Sequence, residues 1–593
     1  MAGGIYPSSG RRTNASLMQN AVSRDNLTRR ALIFMFFITA FMSAHLFRLT
    51  QLQLVEGAYN RQLAEQNRVR LVPIPADRGN ITDRHGRLLA SNQLSRAVYL
   101  WPRQQTREQW QATAARLEAI LDIPAAEIMG RLEQSGFDSP LPVRISQQLD
   151  QTAFVAIAEQ SAQLPGVEIV AGSVRYYPHR SLASHVLGYI GEASEADMAA
   201  NPDYPNGMIV GQMGIERIAN AQLEGVWGSR LVEVDARGRE SRILGSNPTV
   251  GGNPIQLTLD LELQQAAERA LNGRRGAVVA LDVKTGAVLV LASGPSFDPS
   301  IFTRRVTQAE WQRLQEGDQP FLNRALQTYP PGSTFKVVTA TAGMESGHFS
   351  PNSTIGTSAF ISLGGIQFWE HSKHGYGAIG FRKALAVSSN TFFYQIGLRV
   401  GPEAISKWGR LLGIGTTSNM GLDGGSHGLL PTPQDKEELY GEPWYGGDTV
   451  SMSIGQGVVQ VTPLELAVMA STIANGGQRV HPHLLASETN TPAMQPEATG
   501  IKPGTINAIR SGMTAAVQEG TARRLNDGSI PLTAGKTGTA EVVGRKPHAL
   551  FVGYGPASDP QIAIAVIVEN GGYGGVAALP IAHEIYKAYF DRD

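Results

Sequence analysis

Pro330-Pro331-Gly332-Ser333-Thr334-Phe335-Lys336, running on into Val337-Val338-Thr339-Ala340, is the stretch on which the reading of this chain turns. Two prolines and a glycine mark a helix start, and Ser333 and Lys336, three apart, then share one helical face. A serine hydroxyl is a poor nucleophile until a neighbour takes its proton. A lysine one turn away can do so when desolvation and a second positive charge lower its pKa. The backbone N–H of Ser333, close to a helix N-terminus, is a candidate oxyanion donor. Alone the pair carries little weight, because Ser-x-x-Lys recurs by chance in long chains.

Two further elements change that. Ser388-Ser389-Asn390 follows about 55 residues later and opens the amphipathic run Thr391 to Val400. Ala534-Gly535-Lys536-Thr537-Gly538-Thr539-Ala540 comes roughly 200 residues after Ser333, between turn residues and just before strand-like sequence. The chemistry closes on itself. Ser388 can hydrogen-bond Lys336 and relay a proton to a leaving amine. Asn390 can fix a substrate amide, and Lys536 with Thr537 and Thr539 can bind a terminal carboxylate. Small Gly538 lets an edge strand lie close to a bound peptide. Three such elements, in this order and at these spacings, are those of penicillin-binding proteins and serine β-lactamases.

Outward from these motifs the sequence predicts an α+β fold. Leu261 to Leu271 reads as a helix, and Gly276 to Leu281 and Ala287 to Ala292 as two apolar strands around Lys284-Thr285-Gly286. Thr462-Pro463-Leu464-Glu465 is a capping box with proline at the first helical position, so a helix runs from there to about Ala474. Strands over Pro547 to Gly555 and Gln561 to Glu569 and a helix over Leu579 to Tyr589 close the chain. This order suits an antiparallel sheet flanked by helices. Before the Thr249 to Pro254 junction, Val72 to Asn92 reads as strand, turn at His85-Gly86, and strand. Gln105 to Ile123 and Ala125 to Gln134 read as helices, and Gly166 to Val170 and Arg230 to Val234 as strands. Residues 50–250 gather no nucleophile, base and oxyanion partners, which makes them a non-catalytic α+β spacer.

Ala31 to Leu49 is apolar up to His45, and about nineteen residues at 1.5 Å each span roughly 28 Å, a bilayer core. Arg24, Arg29 and Arg30 precede it. The positive-inside rule keeps the N-terminus cytoplasmic and puts the bulk outside. No small-x-small cleavage site follows, and the run is long for a signal peptide. Residues 1–28 are polar and expected to be disordered, and Gln51 to Gln66 to continue as a helix. The resulting domains are a cytoplasmic tail (1–28), an anchor (29–50), a pedestal (51–250) and a catalytic domain (251–593). With 593 residues the chain exceeds one hydrophobic core. Lys+Arg and Asp+Glu balance at 51 each, giving no basic face for nucleic acid. There is no cysteine, which removes disulfides, thiolate metal sites, iron–sulfur clusters and a thiol nucleophile.

The chain resembles a class B penicillin-binding protein, most closely the elongation-type penicillin-binding protein 2 of rod-shaped Gram-negative bacteria. Beyond the three motifs the likeness rests on Ile74 to Asn92, Arg175 to Glu192, Phe297-Asp298-Pro299, Pro443 to Thr449 and Ser453 to Gly457. It runs from about residue 45 to the C-terminus. The resemblance implies Ser333 as the acylated nucleophile, Lys336 as its base, and an oxyanion hole from the N–H groups of Ser333 and Thr539. It implies a pedestal that holds the catalytic domain off the inner membrane, in the periplasm. Implied partners are peptidoglycan stem peptides, β-lactam antibiotics, a RodA-type glycan polymerase and elongation-complex scaffold proteins; no cofactor is implied. No glycosyltransferase domain precedes the catalytic region, which disfavours a bifunctional class A enzyme. Ser388-Ser389-Asn390 is the Ser-x-Asn form shared with division enzymes, where many elongation enzymes carry Ser-x-Asp.

The expected activity is therefore D,D-transpeptidation through a serine acyl-enzyme. A division-specific class B enzyme is an alternative, as are a D,D-carboxypeptidase, a β-lactamase and a silent penicillin-binding scaffold or sensor. No deacylating acid stands out near Ser388, and all three motifs are intact. Glu370-His371-Ser372-Lys373-His374 places two histidines beside an acid, but zinc needs at least three ligands, and a polar surface loop is the simpler reading, with no metal expected. His548 is expected to be a packed or exposed loop residue, and Gln456 a turn residue near the active site.

Overall fold

The computed structural model describes residues 15–59, 69–139, 141–205, 207–235 and 240–591. They form two compact units, one taking in residues up to Pro73 with Ser229–Asn247, the other Ile74–Gly228 with Pro248–Asp593.

In the first unit one helix runs over Ala15–Thr50 and widens into a π-type turn over Gln51–Val55. Its Arg29–Val55 portion has 27 residues of mean hydropathy 1.8, none of that stretch buried, and is long and apolar enough to cross a membrane. The helix begins sixteen residues before the apolar run at Ala31, so residues 15–28, expected to be disordered, are helical; residues 1–14 lie outside the described residues. So do residues 60–68, the end of the expected helical continuation. A three-stranded sheet, ordered Val69–Ile74, Gly228–Val234, Glu240–Asn247, completes this unit.

The second unit has a central five-stranded sheet. Its order is Val288–Gly294, Gly276–Asp282, Ile562–Val568, Arg545–Gly555, Ala534–Val542, with every pair antiparallel. Along Gly276–Asp282, Arg545–Gly555 and Ile562–Val568, alternate residues enter opposite cores. Ala277, Val279 and Leu281 pack with Leu464, Ala467 and Val468 of the helix Pro463–Ala474. Val278 and Ala280 pack with Leu263 and Ala267 of Leu261–Leu271 and with Ile581 and Ile585 of Leu579–Phe590. Both faces are covered, which is why these strands read as unbroken apolar runs rather than alternating ones. Every residue of Pro463–Ala474 is buried, as an all-round apolar helix must be, and Thr462 and Glu465 form the expected capping box.

The same core extends into the residues before the junction. Ile81, Leu89, Ala90, Tyr177, Val186 and Leu187 belong to the cluster that holds the sheet's inner face. Polar ties follow: Arg87 spans Asp83 at 2.7 Å and Glu262 at 2.6 Å. Fully buried Glu216 accepts from Arg78 Nε at 2.5 Å and Arg175 Nε at 2.7 Å, and Tyr177 donates to it at 3.3 Å. A separate core lies where Leu88–Leu100 pairs antiparallel with Val167–Tyr176 from Ser91↔Tyr176 to Leu100↔Val167. Helices Arg107–Leu121 and Ala125–Ser135 cover it, with Trp110, Leu117, Ile128 and Leu132 fully buried.

Candidate active site

Ser333 lies in a tight 3₁₀ turn, Gly332–Phe335, that feeds the helix Lys336–Glu345. Gly332 makes this turn with φ +53°, and a Cβ there would stand 2.6 Å from the carbonyl oxygen of Thr539. Only glycine allows the turn to lie that close to the strand. From the other side, Gly332 N–H donates to the carbonyl of Gly455 at 2.9 Å. Gly455 has φ +72°, and a Cβ there would meet Gly332 O at 2.4 Å. The Ser453-to-Gly457 segment thus clamps the turn. Gln456 reaches Thr539 O through Nε2 at 3.5 Å, a bracing contact in keeping with the turn role read from sequence.

Lys336 opens a helix whose residues through Met344 are all buried. Its Nζ donates to Ser388 O at 2.7 Å, Asn390 Oδ1 at 2.6 Å and Ser388 Oγ at 3.3 Å. Burial pulls its pKa down to about 7, against the opposing pull of Glu370. At neutral pH a large fraction of this amine is therefore unprotonated.

Ser388 ends the helix Phe381–Val387 in the left-handed conformation, φ 60°. A non-glycine residue held there costs about 1–3 kcal/mol and persists only where its surroundings over-determine it. Here the strain aims the hydroxyl at both lysines, since Lys536 Nζ donates to the same Oγ at 2.8 Å. Ser389, fully buried, caps the next helix, Asn390–Leu411, with its Oγ accepting from Phe392 N–H at 3.3 Å.

Lys536, Thr537, Gly538 and Thr539 stand on Ala534–Val542, the edge strand of the sheet. The motif sits within the strand, not ahead of it; its glycines and lysine hide strand character that pairing with Arg545–Gly555 supplies. Lys536 is fully buried, and burial followed by the Lys336 charge drives its pKa well below the ordinary lysine value. Thr537 Oγ1 donates to Thr521 Oγ1 at 2.7 Å. Thr539 Oγ1 accepts from Gly574 N–H at 3.4 Å. A Cβ on Gly538 would meet Thr334 Cγ2 at 2.9 Å and Pro331 O at 3.0 Å, so its small size admits the serine's own turn.

The four predicted polar residues Lys336, Ser388, Asn390 and Lys536 are thus joined by direct hydrogen bonds, with Ser333 one turn before Lys336. Sequence reasoning weighed Glu370 only as the acid of a polar surface loop and missed its part in the site. It is 1% exposed, and its carboxylate accepts from Ser389 Oγ at 2.7 Å, Asn390 N–H at 2.7 Å and Thr391 N–H at 3.0 Å. It serves the helix start, not a metal. Burial would raise its pKa, but those bonds and Lys336 outweigh burial and lower it. His371 instead meets the Tyr573 ring at 6.2 Å, and His374 the Tyr376 ring at 5.7 Å. Among the described residues no three His, Cys, Asp or Glu side chains gather as metal ligands. His548 is a strand residue opposite Ala540, packed edge-on against Tyr329, and its Nδ1 accepts from Asn570 N–H at 3.0 Å.

Residues 276–587 match the penicillin binding protein transpeptidase domain, and residues 73–257 the penicillin-binding protein dimerisation domain. The peptidoglycan D,D-transpeptidase MrdA of Acinetobacter baumannii is 34% identical over 568 residues, covering 89% of this chain and 82% of the relative. Penicillin-binding protein PBP2 of Helicobacter pylori, solved in complex with MreC, superposes with TM-score 0.79 at 29% identity, over 88% of this chain and 99% of that one. A chain of a peptidoglycan synthase complex that coordinates polymerization and crosslinking superposes with TM-score 0.71 at 32% identity, over 95% and 99%. Alike across both matched domains, the chain belongs to the penicillin-binding protein transpeptidase family, in its class B, penicillin-binding protein 2 branch.

Proposed function

We propose that this chain is a membrane-anchored peptidoglycan D,D-transpeptidase that forms peptide cross-links during cell-wall elongation through an acyl-enzyme on Ser333. The observation that carries the reading is the hydrogen-bonded group Lys336, Ser388, Asn390 and Lys536, set one helical turn from Ser333.

Lys336, unprotonated in good part near neutrality, takes the Ser333 hydroxyl proton as Oγ attacks the carbonyl of the penultimate D-alanine. The N–H groups of Ser333 and Thr539 hold the oxyanion. The C–N bond to the terminal D-alanine breaks, and the proton passes from Lys336 through Ser388 Oγ to the departing amine. Lys536, Thr537 and Thr539 receive the terminal carboxylate, which needs Thr537 to turn from Thr521. An amine of a neighbouring stem peptide then attacks the ester, its proton leaves by the same relay, and Oγ is released. A β-lactam opens on Ser333 in the same way, but its leaving nitrogen stays tethered, which slows release.

The helix Arg29–Val55 supplies a single-pass anchor in the inner membrane, with the N-terminus cytoplasmic and the rest periplasmic. The site-bearing part is residues 251–593 and the pedestal 51–250. The likeness to a protein solved with MreC, and to a chain of a synthase complex, supports a scaffold protein and a RodA-type polymerase as partners.

Purified full chain given a D-Ala-D-Ala stem peptide and an amine acceptor tests the reading by mass spectrometry. Release of D-alanine with a cross-linked dimer is expected; hydrolysed monomer alone would make it a carboxypeptidase. Depletion in cells tests the elongation role, where rounding is expected and filaments would assign it to division.

A further inference from the structure

We propose that Glu370 is a positioning residue for acylation, the carboxylate that sets the Ser388-Ser389-Asn390 turn and faces the Lys336 amine through Asn390. The inference rests on the reading of Lys336 as base to Ser333.

The geometry is that of a built socket. Glu370 Oε1 accepts from Asn390 N–H at 2.7 Å and His371 N–H at 3.1 Å. Oε2 accepts from Ser389 Oγ at 2.7 Å, Thr391 Oγ1 at 2.9 Å and Thr391 N–H at 3.0 Å. Five donors thus converge on one buried carboxylate, at the positive end of the Asn390–Leu411 helix. Because Glu370 takes the backbone of residue 390, the Asn390 side chain is free to bridge. Its Oδ1 accepts from Lys336 Nζ at 2.6 Å and its Nδ2 donates to Trp369 O at 3.2 Å. Trp369 precedes Glu370, so the same short segment holds Asn390 by both backbone and side chain. In a Ser-x-Asp motif the negative charge would stand at position 390 itself. In this chain position 390 is neutral, and the charge stands behind it at position 370.

The charge has a direction of effect. Glu370 favours the protonated form of Lys336, opposing burial. Other ionisable groups around the pair are Lys536 on the edge strand, Tyr394 on the following helix, and His371 and Lys373 on the segment after Glu370. Removing the Glu370 charge alone lowers the Lys336 pKa further, and the acid limb of acylation moves to lower pH.

The test measures the second-order rate of labelling by a fluorescent penicillin from pH 5 to 9 on the full chain. Wild type, Glu370→Gln, Glu370→Gln with Asn390→Asp, and Ser333→Ala are compared, each checked for folding by thermal melt. Glu370→Gln is expected to label about 10–100-fold more slowly at its optimum, with its acid limb displaced to lower pH. Asn390→Asp in that background, which returns a carboxylate beside Lys336, is expected to move the limb back up. Near-wild-type labelling by Glu370→Gln would overturn the proposal, as would slower labelling with an unmoved limb, which is the mark of a helix cap and nothing more. Persistent labelling of Ser333→Ala would instead overturn the underlying acyl-enzyme reading.

Discussion

Lys336 and Lys536 converge on one hydroxyl: Ser388 Oγ accepts from their Nζ atoms at 3.3 Å and 2.8 Å. Both side chains are fully buried, and burial lowers the pKa of each. Two ammonium groups this close, out of water, cannot both keep their protons cheaply. The serine between them is therefore the place where a proton can be handed from one step to the next.

Removing that hydroxyl should break the relay while leaving nucleophile and base in place. Ser388→Ala is expected to slow acylation by a labelled penicillin by about 10²–10³-fold, within the usual range for a lost proton-transfer group. The thermal midpoint should change little, because Ser388 is only partly buried. Stopped-flow labelling reads the rate and calorimetry the midpoint.

A lysine with a pKa of about 7 sets the sign of the pH profile. It acts as base only when neutral, so acylation should fall as pH drops through about 7. Lys336→Arg, whose guanidinium stays protonated throughout, is expected to be inactive at every pH between 5 and 9. A rate that rose on acidification would assign the base to another group.

Much of this site was legible before any coordinates, and the reasons are local. Order and spacing of three short motifs named Ser333, Lys336, Ser388, Asn390 and Lys536, and the Thr462/Glu465 capping box located the buried helix behind the sheet. The role of Glu370, named from sequence only as the acid of a surface loop, was not legible, because its partners lie about twenty residues on and meet it only when the Phe360–Leu363 and Ile366–Trp369 hairpin folds against the next helix. Gly538 was read as part of an edge strand, yet the sequence put strand-like residues only after the motif; partner strand and nucleophile turn, not propensity, make Lys536-Thr537-Gly538-Thr539 a strand. The helical start at Ala15 falls in polar sequence with no apolar periodicity to announce it.

Gly332 should tolerate no side chain. A Cβ would stand 2.6 Å from Thr539 O, and the left-handed conformation adds about 1–3 kcal/mol for a non-glycine residue. Gly332→Ala must push the serine turn off the edge strand, and a shift of about 1 Å costs on the order of 10²-fold in rate. Labelling kinetics should show that loss in a protein that still melts cooperatively.

Far from the motifs, Glu216 joins Arg78, Arg175 and Tyr177 in a buried group. Burial raises its pKa, but the two guanidiniums outweigh burial and lower it, so it stays charged. Glu216→Gln leaves two buried cations with no anion, expected to cost about 3–5 kcal/mol. Denaturant unfolding followed by tryptophan fluorescence measures it; acylation of the protein that remains folded should be close to normal.

The central claim is that Ser333 carries the acyl group. Intact-protein mass after incubation with a penicillin, for wild type and Ser333→Ala, tests it most directly, with the adduct placed by peptide mapping. A one-to-one adduct on Ser333 in wild type and none in the variant is the predicted result. An adduct that survives in Ser333→Ala, or maps elsewhere, would contradict it.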